Sequence, residues 1–363
     1  MSAESTSLAT EPELGPPPQP PRAAPQKRPP PRATLRRRLR WVHARLVFLG
    51  LWLARISPLW FWCGPFARLL ARCAPPQLRR TASQQLEQVF GAELEEPARR
   101  KIQRSMFSHQ ARVLREIAQL RRSDARYVER MVTPEPDFIE RIAALRQLGK
   151  GVIVVTPHFG NYELMPAWFS RVLGARVSVI AKRILNPWVD TALIEMRARF
   201  DVATIYQEES PRKLLRFLSE GGLVGILPDA DLIRMQGIFV RFLGRDAWTT
   251  TGPANLSIVS GAPIAPAFLT WNGSAYRLSL GEPIFPDRRA PREEEIRRIT
   301  EAWSQTFENA IRATPDHWVW IHARWKTTEE RLLQRREKKR LGFAKLPQPA
   351  SDDEPRARDA QRV

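Results

Sequence analysis

An α/β fold, a largely parallel central sheet covered by helices, is predicted by two observations. Between Gly151 and about Trp325, short β-branched runs of strand length alternate with segments whose apolar residues recur at helical spacing. The 363 residues are 43% hydrophobic, enough for one large domain with appendages. No internal repeat is present. Neither a phosphate-binding Walker loop nor a dinucleotide glycine fingerprint occurs, so phosphoryl and hydride transfer lose their usual signatures.

The strand-like runs are 151–156, 176–181, 202–206, 223–227, 263–269 and 276–280. The helical runs fall at about 161–173, 187–199, 210–220, 252–260 and 291–313. Ahead of them, residues 77–132 place Ile102, Met106, Val113, Ile117 and Leu120 on one helical face and mostly arginine on the other. These helices pack on the alternating region, giving one domain over 77–328.

The flanks differ in composition. Residues 1–34 are rich in proline and poor in large apolar side chains, which predicts a disordered tail. The segment 35–76 combines a basic arm, ending in Arg36-Arg37-Arg38-Leu39-Arg40, with a Trp-rich apolar stretch at 41–62. Arg45 and Arg55 leave nine uncharged residues between them, short of the ~20 that a spanning helix needs. The stretch therefore reads as a helix lying in a membrane interface, with Trp rings at headgroup depth and Arg side chains reaching for water. Residues 329–363 read as a charged helix followed by a polar tail.

A net charge of +20 and a pI near 11.1 call for an anionic partner. Nucleic acid and an acidic membrane surface both satisfy that demand. No standard nucleic-acid motif accompanies the charge, and the Trp-rich stretch is foreign to such a protein, so no nucleic-acid partner is expected. Cys63 and Cys73 form neither a disulfide framework nor a metal spacing. No cofactor or metal is expected.

The chemistry concentrates at Gly151-Val-Ile-Val-Val-Thr-Pro-His158-Phe-Gly-Asn161-Tyr-Glu163, where a strand stops at proline and a helix follows. An imidazole at a strand end takes a proton from a hydroxyl, and a carboxylate on its other ring nitrogen fixes the tautomer. Spacing alone leaves a second possibility open, a turn histidine beside a glutamate that complements the helix dipole.

The wording of this stretch resembles the His-x4-Asp/Glu block of the lysophospholipid acyltransferase superfamily. It is closer still to the His-Phe-Gly-Asn-Trp-Glu block of the lipid A late acyltransferases, with Tyr162 in place of Trp. Further blocks resemble that family over about residues 40–328. Thr81–Phe90 carries Gln85 where asparagine is usual, and Lys182-Arg183-Ile-Leu-Asn186-Pro187 lacks a proline after Arg183. Met196-Arg-Ala-Arg199 matches with a shift, and Pro228-Asp229 follows the fourth strand. Gly237–Ala254 is the longest match, and Pro315–Lys326 is the last.

The resemblance implies a membrane-associated O-acyltransferase that moves a fatty acyl chain from a thioester to a hydroxyl of a lipid A precursor. His158 would be the base and Glu163 its orienting partner. Asn161 and Arg183 would serve substrate or oxyanion, and Asp229 would pair with Arg183 or cap the next helix. The donor would be acyl carrier protein or acyl-coenzyme A, and the location the cytoplasmic face of a bacterial inner membrane. A lysophospholipid, a phosphoinositol mannoside or an amino-acid lipid is the alternative acceptor.

Overall fold

The computed structural model describes residues 74–344, with side chains to 337, and the separate positions Arg45 and Leu49. The tail expected at 1–34, most of the arm and anchor at 35–76, and the polar tail after 344 lie outside the described residues. Everything described belongs to one compact unit spanning 44–363. Among the described residues no helix is long and apolar enough to cross a membrane.

In chain order, helices α1 (Pro76–Phe90), α2 (Glu96–Leu120) and α3 (Ala125–Met131) precede a short strand, β1 (Val132–Pro134), and helix α4 (Phe138–Gln147). Strand and helix then alternate through β2 (Val152–Val155), α5 (Leu164–Arg171), β3 (Val177–Ala181), α6 (Pro187–Ala198), β4 (Val202–Tyr206), α7 (Pro211–Ser219) and β5 (Leu223–Ile226). A hairpin of β6 (Gly237–Phe242) and β7 (Arg245–Thr250) leads into α8 (Gly252–Ser260). After it come β8 (Ile264–Trp271), β9 (Tyr276–Leu280), α9 (Arg292–Ala313), a 3-10 turn at Pro315–His317 and α10 (Glu329–Ala344).

Seven strands form one sheet in the order β1-β9-β8-β2-β5-β3-β4. β8, β2, β5, β3 and β4 are mutually parallel, whereas β9 runs antiparallel to β8 and carries β1 parallel to itself. The expected α/β class with a largely parallel sheet is therefore the fold observed. Each β-branched run that predicted a strand forms one. The hairpin and β1 were not expected as strands.

The hairpin escaped notice for a physical reason. Its two-residue turn is Leu243-Gly244, both with left-handed φ (50° and 77°), a conformation that Asn-Gly or Asp-Gly normally announces. Leu243 is held there by burial and by the Glu308 carboxylate, which accepts its N–H at 2.7 Å.

Strand β2 shows why the sheet lies at the centre. Val152 and Val154 join a core with Val177, Trp168 and Phe138 on one face, while Ile153 and Val155 join Trp303, Phe307 and Ile311 of α9 on the other. Alternate residues point to opposite faces of a strand, so a run apolar at every position is buried on both sides.

One glycine is required by this packing. Gly160 follows β2 with φ +59°, and a Cβ there would lie 1.7 Å from the backbone carbonyl oxygen of Leu269 in β8. Gly160→Ala should cost about 2–5 kcal/mol of stability, combining a left-handed alanine with overpacking against backbone. A denaturant midpoint unchanged from that of the parent chain would show that no such clash exists.

Candidate active site

His158 and Asp229 leave the sheet together. Val155 of β2 and Ile226 of β5 are partners in the parallel register, and in each case two residues, the second a proline, separate them from His158 or Asp229. Equal offsets from paired residues bring the two side chains into contact. Asp229 Oδ1 lies 2.7 Å from His158 Nδ1, and Oδ2 accepts from the His158 backbone N–H and from Trp318 Nε1–H, both at 2.9 Å.

Asp229 is buried, whereas 23% of the His158 side chain is exposed. With Nδ1–H donated to the carboxylate, the lone pair of the neutral ring is on Nε2. The site lies at the carboxyl ends of the parallel strands, where open α/β sheets hold their ligands.

Burial opposes the imidazolium form of His158. The negative charge of Asp229, its hydrogen bond, and the charge of Glu163 outweigh that effect and hold the ring above its ordinary pKa. Burial likewise opposes charge on Asp229, but His158 and the three hydrogen bonds hold its carboxyl well below the usual carboxylate range.

Glu163, expected to bond to His158, is bonded elsewhere. Its two oxygens take a bidentate pair from Arg197 of α6, at 2.6 and 2.9 Å. Asp229 in turn meets neither Arg183 nor a helix end. Arg183 lies on the face of Tyr206 with its guanidinium carbon 3.8 Å from the ring centroid. Asn161, expected near the reacting atoms, is fully buried. Its amide nitrogen donates to Glu116 Oε2 at 2.8 Å, and its oxygen accepts the Leu164 N–H at the start of α5. Tyr276 Oη also donates to Glu116, at 2.6 Å. Asn161 thus ties the turn after His158 to α2 and β9 and has no open side from which to reach an oxyanion.

The last sequence block clamps this turn from above. Gly160 N–H donates to the His317 carbonyl and Val319 N–H to that of His158, both at 3.1 Å, with Phe159 paired to Trp318. His317 is a structural histidine: its Nε2 accepts the Trp271 N–H, and its Nδ1 meets Asp316. His322 is exposed, with its ring 5.0 Å from that of His158.

The clamp is fixed by α1. Gln85 donates to the carbonyls of Trp320 and His322 and accepts the Arg324 N–H. Arg324 is itself buried, bonded to the Trp248 carbonyl and Thr249 Oγ1, and burial pulls it down to about 10 against the opposing charges of Asp229 and Asp231.

Beside the pair lies an apolar cleft of about 400 Å³. Its walls include Ile180 and Tyr206 at the ends of β3 and β4, Leu214 and Leu215 of α7, and Leu256 and Val259 of α8. Pro228, next to Asp229, is part of the same wall. Met235, Gln236, Thr251 and Asn255 also belong to a broader groove of about 980 Å³, lined by Arg234, Arg292, Arg297, Arg335 and Arg336 together with Glu293 and Glu294.

The family model described as bacterial lipid A biosynthesis acyltransferase matches residues 30–327. The chain belongs to this family. The phosphatidylinositol mannoside acyltransferase of Mycolicibacterium smegmatis is 26% identical over 191 residues, 52% of this chain and 60% of that protein. The enzyme of the same name from Mycobacterium tuberculosis is 24% identical over 218 residues, 59% of this chain and 67% of that one. The lipid A biosynthesis lauroyltransferase of Escherichia coli is 26% identical over 201 residues, 54% and 63% of the two chains. The aligned part thus spans about three-fifths of these relatives.

In this member of the lipid A acyltransferase family, the expected site residues fall into four places. His158 and Asp229 meet directly, Glu163 stands beside them on Arg197, Asn161 lies in the buried network, and Arg183 stacks on the cleft-lining Tyr206. Arg197 and Trp318 were not singled out as site residues. The signal that would have joined the pair was the repeated apolar strand, x-Pro, polar residue in Val155-Thr-Pro-His158 and Ile226-Leu-Pro-Asp229.

Titration of the His158 ring by NMR should give a pKa above the ordinary histidine value. Asp229→Asn removes the main raising influences and leaves burial, so the pKa should fall. Glu163→Gln should lower it less, and a larger fall for Glu163→Gln than for Asp229→Asn would reverse the assignment of the orienting carboxylate.

Proposed function

We propose that this chain is a membrane-associated O-acyltransferase that moves a fatty acyl chain from a thioester to a hydroxyl of a lipid A precursor. The observation that carries the proposal is the partly exposed His158, held through Nδ1 by a buried carboxylate whose neighbour Pro228 lines an apolar cleft. The family supports the reaction class.

His158 Nε2 accepts the proton of the acceptor hydroxyl as its oxygen attacks the thioester carbonyl. The C–O bond forms, the tetrahedral intermediate collapses, and the C–S bond breaks. The leaving thiolate takes the proton back from Nε2. Asp229 keeps Nδ1 protonated and stabilises the imidazolium between the two transfers. Glu163 adds negative charge nearby while Arg197 holds it in place. The acyl chain occupies the apolar cleft, and Arg183 on the cleft wall attracts an anionic group of the substrate.

The arginine-lined groove opening from the cleft favours phosphorylated substrates, in keeping with either an acyl carrier protein or an acyl-coenzyme A donor. The basic arm and Trp-rich stretch at 35–76 would hold the body at the cytoplasmic face of the inner membrane. A second acceptor, phosphatidylinositol mannoside, is favoured by the mycobacterial relatives.

Purified protein given labelled acyl-carrier-protein and acyl-coenzyme A donors, with lipid A precursor, phosphatidylinositol mannoside and lysophospholipid as acceptors, should acylate the lipid A precursor. Transfer only to another acceptor would overturn the named substrate. His158→Ala should lower kcat by about two to four orders of magnitude with an unchanged fold by circular dichroism. Asp229→Asn should lower kcat more than Glu163→Gln does. Near-parental turnover by His158→Ala would refute the base.

A further inference from the structure

The mouth of the apolar cleft carries exposed aliphatic side chains on two separate lips. On one lip, the loop after β3 presents Leu185 at 89% exposure and Ile184 at 40%. This loop is fixed to the cleft wall. Arg183 stacks on Tyr206, the Ile184 N–H donates to Asp190 Oδ1 at 3.0 Å, and Tyr206 Oη donates to the other Asp190 oxygen at 2.6 Å. On the other lip, Val259 of α8 (48%) and Met235 (37%) are cleft-lining residues that face outward.

Exposed bases flank both lips. Lys182 and Arg183 precede Ile184, Arg212 begins α7 beside the cleft-lining Pro211, and Arg234 adjoins Met235. Lys213 is already paired with Glu209 and contributes less.

Solvated side chains on a monomer are usually polar, and scattered single leucines need no explanation. Here two exposed cleft-lining tips, Met235 and Val259, and the exposed Ile184–Leu185 pair, on a loop anchored to the cleft-lining Tyr206, border one cavity, with bases at 182, 183, 212 and 234. A protein partner would call for a continuous patch with aromatic anchors. Separate aliphatic tips around the entrance to a chain-sized cavity, with cations beside them, match the apolar edge and anionic headgroups of a bilayer.

We infer that the catalytic body docks on an anionic lipid bilayer through this rim, with Ile184, Leu185, Met235 and Val259 entering the headgroup–acyl boundary and the cleft opening toward lipid. The docking is distinct from any contribution of the Trp-rich stretch, because it fixes which end of the sheet faces the membrane. It rests on the acyl-transfer proposal only for what passes through the opening.

The test reads the rim locally, since the basic arm and Trp-rich stretch would bind vesicles by themselves. In the full chain with Cys63→Ser and Cys73→Ser, an environment-sensitive fluorophore is placed at Leu185→Cys, at Val259→Cys, or at Lys150→Cys before β2, at the opposite end of the sheet. On phosphatidylglycerol-containing vesicles, the labels at 185 and 259 should shift to the blue and lose intensity to a nitroxide-bearing lipid, while the label at 150 does neither.

Vesicle-bound protein whose labels at 185 and 259 stay unshifted would overturn the proposal. So would equal shifts at all three sites, or protection of the rim labels by an acidic carrier protein but not by vesicles. Acyl transfer to acceptor dispersed in detergent is measured on the unlabelled full chain. Unshifted rim labels with transfer intact would sink the docking alone, and shifted labels without transfer would sink the proposed reaction alone.

Discussion

The site depends on the parallel pairing of β2 with β5. That ladder sets Val155 opposite Ile226, so two segments far apart in the chain leave the sheet in step, each turning at a proline. The short contact between His158 and Asp229 is a consequence of strand register. Slipping either strand by one residue would exchange the side chains packed on its two faces as well as separate the pair. Core packing and the His158–Asp229 geometry are therefore held by one constraint, and both faces of β2 are buried enough to make it strict.

Around that register the protein adds polar ties of two kinds. Glu116, Asn161 and Tyr276 form a buried set below the turn, and the segment 317–319 pairs with the turn from above. Buried polar groups are costly unless each is bonded, so such a network is selective: it accepts one arrangement of the turn. The bidentate ion pair of Glu163 with Arg197 belongs to the same scheme, fixing a negative charge near the imidazole without placing it on the ring.

Much of this was legible in the sequence. The β-branched runs located the strands of the sheet because most of their residues are apolar, and the Pro-His turn located His158. Alternation cannot report which strands are neighbours, so the partner of His158 was sought five residues away on the same turn, whereas it comes from the end of an adjacent strand. Asn161 and Glu163 were recognised by their proximity to His158, yet short side chains on a tight turn point in different directions, one into the interior and the other toward α6. The hairpin at 237–250 was missed because Leu243 supplies its left-handed turn by burial and a bond to Glu308, which no local pattern records.

Gln85 has a consequence for the timing of assembly. A single amide on α1 grips the backbone at Trp320, His322 and Arg324, so α1 and the last part of the body close on each other across the turn that bears His158. A nascent chain that has emerged only through β9 already contains His158, Asp229 and the cleft walls. It still lacks Trp318 on the Asp229 carboxylate and the segment that covers Gly160. During synthesis the hydrogen bonds of the site are therefore completed only once the segment 315–326 has emerged.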